Sequence, residues 1–353
     1  MRPSSSRIPR VAVSCLAVAA GLLLVQSAAR AQAPTAEAEE AFRAAAGISE
    51  ETFRDWVFVL AHDSMKGRWT PSRELDQAAR WIADHFRDLG LRPGGGGGDF
   101  LQWYPVPRDA RPPGGRIRAP NVVGILPGSD PNLAREFVVY SAHMDHVGVG
   151  RPDATGDSIY NGADDNASGT VAVMKIAAAF AALPEAPRRS LAFVLVSGEE
   201  RGLWGSRHFV DHGGIPPTRM VANLNLDMIG RNWPDTIVLV GKEHSDLGET
   251  IREMAHGHPE LGLEVIRDPW PGQRFFFRSD QFSFARRGVP AVFFFSGTHE
   301  DYHRPGDLPE RVNAEKAARV ARLAFLAGME VANRTSPPRW NPESYDQIVQ
   351  PQR

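Results

Sequence analysis

Leu191-Ala192-Phe193-Val194-Leu195-Val196, followed at once by Ser197-Gly198-Glu199-Glu200, is the stretch from which the rest of the chain can be read. Six apolar residues in a row have the length of a strand buried in a sheet, and they end abruptly on two acids. Adjacent carboxylates at such a point repel each other unless a cation separates their roles, one coordinating and the other free to move protons. Taken alone, the pair also suits the N-terminus of a following helix.

The same design recurs on either side. Strands are predicted near Val122 to Leu126, Phe137 to Ser141, Val221 to Leu226, Ile237 to Val240 and Ala291 to Phe295. Between them the periodicity predicts helices near Thr170 to Ala182, Leu203 to His212, Leu247 to His256, Asp280 to Arg287 and Ala314 to Asn333. This alternation predicts an α/β fold, a three-layer sandwich with helices on both faces of a mixed, mostly parallel central sheet. The Pro127-Gly128-Ser129-Asp130 turn between the first two strands predicts an antiparallel hairpin there. Upstream, residues 38 to 62 and 72 to 90 carry helical periodicity, the latter with Leu75, Ala79, Ile82, Phe86 and Leu89 on one face. The Gly94 to Gly98 run and the stretch from Pro105 to Gly115 read as irregular connections. A single domain over residues 34–334 is expected, with residues 335–353 as a loosely packed tail.

Composition narrows the function. Forty Lys and Arg against 42 Asp and Glu leave a net charge of -2 on 353 residues, with the basic residues scattered. That excludes the basic groove of a nucleic-acid binder and a membrane-binding patch, and leaves a small or neutral substrate. Arg2, Arg7 and Arg10 precede an apolar run from Val11 to Val25, and Ala31-Gln32-Ala33 follows. The pattern is that of a signal peptide spanning residues 1–33, so a secreted or periplasmic protein is expected. Cys15, the only cysteine, lies inside that segment. The mature chain then has no thiolate, and any metal must be held by nitrogen and oxygen.

Polar residues with metal-binding chemistry collect at the strand ends, where open α/β sheets bind their ligands. His143-Met144-Asp145-His146 follows one strand, and Asp145 is placed to fix the tautomer of His143. Asn161-Gly162-Ala163-Asp164-Asp165-Asn166-Ala167-Ser168-Gly169 precedes a helix and would serve equally as its cap. Asp227 stands between apolar neighbours, where an ionised carboxylate is costly unless paired or metal-bound. Tyr302-His303 lies beyond the last strand. Each has a structural explanation by itself; jointly they supply donors in the order His, Asp, Glu, Asp, His, of types suited to zinc.

With these motifs in place, the chain from about Leu60 to Ala332 resembles the two-zinc aminopeptidases of the aminopeptidase Y and bacterial secreted leucine aminopeptidase type, in metallopeptidase clan MH. Met65-Lys66-Gly67-Arg68, His143-x-Asp145, the Gly-Ala-Asp-Asp-Asn loop, Ser-Gly-Glu-Glu, Asn-Leu-Asp-Met-Ile-Gly, Arg278-Ser279-Asp280 and Tyr302-His303 carry the resemblance. It implies two Zn2+ ions, one on His143 and Asp227 and one on Glu200 and His303, with Asp164 bridging and a cis peptide between Asp164 and Asp165. It implies Glu199 as general base, Tyr302 as a donor to the oxyanion, and a peptide or aminoacyl substrate cut at its N-terminus. The protease-associated insert of many relatives and the disulfide seen beside the last histidine in some have no counterpart here. Trp270, Phe275, Phe276 and Phe277 are candidates for an apolar side-chain pocket. The competing readings are a glutaminyl-cyclase-like enzyme with one zinc, a carboxypeptidase of the same clan, and a binding module that has lost catalysis.

Overall fold

The computed structural model describes residues 36–110 and 115–350. The expected signal peptide lies outside them. Strands form where β-branched and aromatic residues cluster, since these side chains fit a pleated surface. They are β1 (Arg92–Pro93), β2 (Leu101–Pro105), β3 (Arg118–Leu126), β4 (Phe137–His143), β5 (Gly148–Val149), β6 (Ile159–Tyr160), β7 (Ser190–Val196), β8 (Met220–Leu226), β9 (Thr236–Val240), β10 (Glu264–Arg267) and β11 (Ala291–Phe295). The α-helices are α1 (Ala36–Ala46), α2 (Glu50–Leu60), α3 (Arg73–Asp88), α4 (Gly169–Ala181), α5 (Trp204–His212), α6 (Leu247–Gly257), α7 (Gln281–Ala285), α8 (Ala314–Asn333) and α9 (Pro342–Ile348).

The main sheet runs β1-β3-β7-β4-β8-β11-β9-β10, with β2 also against β3. Its centre, β7-β4-β8-β11, is parallel throughout. β3 on one side and β9 on the other join it antiparallel. The fold is therefore the mixed α/β sandwich expected, and the carboxyl ends of the four central strands open on one edge.

Period-two alternation splits the core between the two faces of this sheet. Leu191, Phe193 and Leu195 of β7 face one cluster with helices α1 to α4 and α8; Ala192, Val194 and Val196 face the other. Helix α3 buries Leu75, Ala79, Ile82 and Phe86 as its periodicity predicts, and Ser72 caps it by accepting from the Leu75 amide. The single helical stretch expected over 38 to 62 is two helices, because Gly47 breaks it and Ser49 starts a new one as N-cap of α2.

The expected hairpin between the first two strands does not form. β7 inserts between β3 and β4. Residues of the Pro-Gly-Ser-Asp turn bond instead to the segment entering β7, with Gly128 donating to Ser190 Oγ at 2.9 Å and Ser129 to the Pro187 carbonyl at 2.9 Å. The tail also departs from expectation: it packs. Trp340 Nε1 donates to the Gly288 carbonyl at 2.9 Å, Asn341 to the His244 carbonyl at 2.8 Å, and Ile348 of α9 is buried in the second cluster. Trp340, Ile348 and Val349, set among polar residues, were too sparse to show as a period. Among the described residues no helix is long and apolar enough to cross a membrane.

Candidate metal centre

The site forms where β4, β7, β8 and β11 release their chains. His143 is the last residue of β4, Glu199 and Glu200 follow β7, Asp227 follows β8, and His303 lies in the loop after β11. His303 has φ of 53°, in the left-handed region. The segment from Gly162 to Ser168 leads directly into α4 and carries Asp164 and Asp165.

Within this frame one carboxylate is central. Asp165 Oδ1 lies 3.4 Å from His143 Nε2, while its Oδ2 lies 3.1 Å from His303 Nε2 and 3.7 Å from His146 Nδ1. His143 Nε2 is also 3.3 Å from Asp227 Oδ1, and His303 Nε2 is 3.1 Å from Glu200 Oε2. The donor atoms thus form two groups, His143-Asp165-Asp227 and His146-Asp165-Glu200-His303, each with its atoms within 4.8 Å of one another. Asp165 belongs to both.

Asp164, expected as the shared residue, is elsewhere. Its Oδ1 accepts the Gly230 amide at 2.6 Å and its Oδ2 faces His299 at 3.5 Å. The reason is the backbone: the segment at Asp165 is extended rather than helical, so neighbouring side chains leave on opposite sides. The cis peptide is likewise one residue further on, between Asp165 and Asn166. Of the five residues expected as ligands, the fold brings His143, Glu200, Asp227 and His303 together and replaces Asp164 by Asp165.

Other side chains hold the donors in place. Ser279 Oγ donates to Asp227 Oδ2 at 2.7 Å, leaving Oδ1 for His143. Asp145 is buried beneath the site; its Oδ2 accepts from Thr70 Oγ1 at 2.8 Å. His143 Nδ1 approaches the Asp145 carbonyl, at 3.1 Å, more closely than the Asp145 carboxylate, at 3.7 Å. The tautomer of His143 is therefore set chiefly by a main-chain oxygen. Asp307 accepts the amides of Asp164 and Asp165 at 3.0 Å each. Buried Arg68 donates to the carbonyls of Leu60, Met144, Asn161 and Gly162, tying the turn after β4 to the segment carrying Asp165. Asp165, His146, Asp307 and Arg68 carried no assigned role in the sequence reading. Asp307 and Arg68 act through backbone contacts, which leave no local signature.

Burial opposes every charge here. At Asp165 that cost is outweighed by His146, His143 and His303, which hold its carboxyl well below the usual range. Burial raises Glu199 well above that range; Glu200, Asp280 and Asp227 push it further, against His143. Burial would lower His303, yet its contacts with Asp165 and Glu200 push it up to about 10. A cluster that draws protons onto its imidazoles this strongly is one that favours positive charge, from protons or from a metal ion.

The cleft above the donors is lined by Glu199, Tyr302, Arg278 and Thr298 with apolar Met228, Phe275, Phe293 and Phe295. The aromatic run expected as a pocket divides. Phe275 faces the cleft, Phe276 is buried against His244, and Phe277 is 39% exposed. Trp270 lies behind the cleft, edge-on to Phe275 at 5.8 Å.

This architecture is that of the zinc exopeptidases. A Zn-dependent exopeptidase from Parabacteroides distasonis superposes with a TM-score of 0.62 over 81% of this chain and 99% of that one, at 16% identity. The LapA aminopeptidase of Legionella pneumophila gives 0.65 over 86% and 76%, at 21% identity. Glutaminyl cyclase from Porphyromonas gingivalis gives 0.61 over 80% and 98%, at 14% identity. The chain belongs to peptidase family M28, whose model matches residues 121–327. Among curated relatives, aminopeptidase YwaD of Bacillus subtilis is 26% identical over 228 residues, covering 62% of this chain and 46% of that protein. The chain thus spans about half the length of such relatives.

Proposed function

We propose that this protein is an exported, zinc-dependent exopeptidase that hydrolyses the amino-terminal residue from peptides. The observation carrying the proposal is Asp165, whose two oxygens face two separate imidazole-carboxylate groups in one cleft. In this reading His143 and Asp227 hold one ion, Glu200 and His303 a second, and Asp165 spans both. The donors fit such ions: all are nitrogen or carboxylate oxygen, and the buried Glu200 Oε1 and both His146 nitrogens have no hydrogen-bond partner. Zinc bound there supplies Lewis-acid polarisation of a carbonyl and a lowered pKa for water.

Glu199 is the general base, taking a proton from the attacking water and returning it to the leaving amine. Burial moves its carboxyl upward, which favours a group that holds the proton between accepting it and giving it up. Tyr302 lines the same cleft, and burial beside Asp165 and Glu200 raises its pKa, so the hydroxyl keeps its proton for the developing oxyanion. Asp145 steadies both neighbours, His143 through its carbonyl and the Glu199 amide through Oδ1 at 3.4 Å. Met228, Phe275, Phe293 and Phe295 supply an apolar wall for the side chain of the residue removed.

A carboxypeptidase reading draws on Arg278, a cation in the cleft that suits a terminal carboxylate. A single-zinc cyclase would leave the group around His143 and Asp227 without a task. Hydrolysis of a panel of aminoacyl chromogenic amides, with and without chelator, tests the proposal. Leu-type amides are expected to turn over at least about 10-fold faster than charged ones, and only with metal. Cleavage of N-blocked but not C-blocked peptides would replace it with the carboxypeptidase, and cyclisation of N-terminal Gln with the cyclase.

A further inference from the structure

His146 stands apart from the five-donor pattern, yet the fold seats it among the donors. Its ring is fully buried, and Nδ1 lies 2.9 Å from Glu200 Oε1 and 3.7 Å from Asp165 Oδ2. At 2.9 Å the first pair is close enough for a hydrogen bond but lacks the alignment for one, and both atoms remain without partners. Burying these two atoms and His146 Nε2 unpartnered is costly. Two bonds of about 2.0–2.2 Å meeting at one ion at angles near 90–110° place their donor atoms about 2.9–3.5 Å apart. Three of the four contacts of His146 and His303 with Glu200 and Asp165, at 2.9, 3.1 and 3.1 Å, are of that size, and the fourth, His146 to Asp165, is longer at 3.7 Å.

The backbone at Gly162 leaves room for this ring as well as for the Asp165 carbonyl oxygen, 2.2 Å from where a Cβ would stand. Gly162 has φ of 59°, and a Cβ there would stand 2.4 Å from the His146 Cγ. The same imidazole meets His303 edge-on at 5.5 Å, so both rings converge on the two carboxylates between them.

Resting on the two-ion reading above, we infer that His146 is a direct metal ligand through Nδ1, on the ion also held by Asp165, Glu200 and His303. The two ion positions are then unequal. One has four protein donors, the number that closes a structural zinc site, and the other has three, the number that leaves a position open for water or substrate. The four-donor position fills first and holds its ion more tightly.

X-ray absorption fine structure of the native full-length protein loaded with one equivalent of zinc decides this without a variant. Two imidazoles per zinc are expected. One imidazole overturns the inference, because an ion held without His146 has only His303 or only His143, whichever position it takes. In His146→Ala the count should fall to one and the dissociation constant of the tighter zinc should rise at least about 10-fold, read by calorimetric titration. An unchanged constant in a variant with native circular dichroism also overturns it. Native protein that hydrolyses aminoacyl amides with one imidazole per zinc would sink His146 as a ligand and leave the peptidase standing; native protein that binds no zinc would remove both.

Discussion

Asp164 and Asp165 share one sequence context, and the backbone sends their carboxylates in opposite directions. Asp165 meets three imidazoles, while Asp164 meets a main-chain amide of the segment after β8. Asp165→Ala is therefore expected to lose bound zinc, measured by elemental analysis. Asp164→Ala should keep its zinc and instead lose about 1–3 kcal/mol of stability, because the Gly230 amide loses its acceptor. Equal zinc contents in the two variants would contradict the division. Glu199 makes a sharper test of role against position. Glu199→Gln should retain bound zinc and drop kcat by about 100-fold or more, the scale of a lost general base. Near-native turnover would reassign the proton transfer to another group.

Elements place these residues by their ends. Strands β4, β7, β8 and β11 run parallel, so their final residues share one edge of the sheet. The positions of these strands were legible because apolar runs stop abruptly at polar residues. Strand β2 was not, since Leu101–Pro105 abuts a Pro-rich stretch and takes its place by pairing with β3. Strand order was likewise hidden: a turn sequence specifies a bend, and what fills the space beside β3 depends on which buried strand packs better there. The Gly162 segment is under tight steric control. A Cβ at 162 would meet the Asp165 carbonyl oxygen at 2.2 Å as well as the His146 ring. Gly162→Ala should cost about 1–3 kcal/mol in chemical denaturation and weaken zinc binding together. Full stability with native zinc affinity would show that the segment relaxes freely.

At the scale of the molecule, the centre couples folding to pH. In metal-free protein, Asp165 and Glu200 raise His303 to about 10, and His143 moves in the same direction. A raised pKa in the folded state means that protonation stabilises it: the contribution is complete below the unfolded imidazole value and is lost as pH rises toward 10. Asp165 shifts the opposite way, so its contribution is lost only in acid. The melting temperature of chelated protein should therefore fall between pH 7 and 10. The zinc-loaded protein should fall less, because the metal takes over the neutralising role of those protons and itself binds only the folded state. Parallel profiles for the two forms would break the link between this cluster and cation binding.

Local physics alone determined much of this protein. Period-two and helical patterns specified the α/β layers, and the chemistry of polar residues at strand ends picked out four of the donors that the fold assembles, His143, Glu200, Asp227 and His303. Only the tertiary structure decided that Asp165 rather than Asp164 is shared, that His146 joins the cluster, and that Asp307 and Arg68 hold the backbone beneath it. The physical reason is range. Hydrophobic periodicity is written in neighbouring residues, whereas the direction of a loop side chain is set by hydrogen bonds to segments 60 or more positions away, such as Asp164 with Gly230 and Asp165 with Asp307.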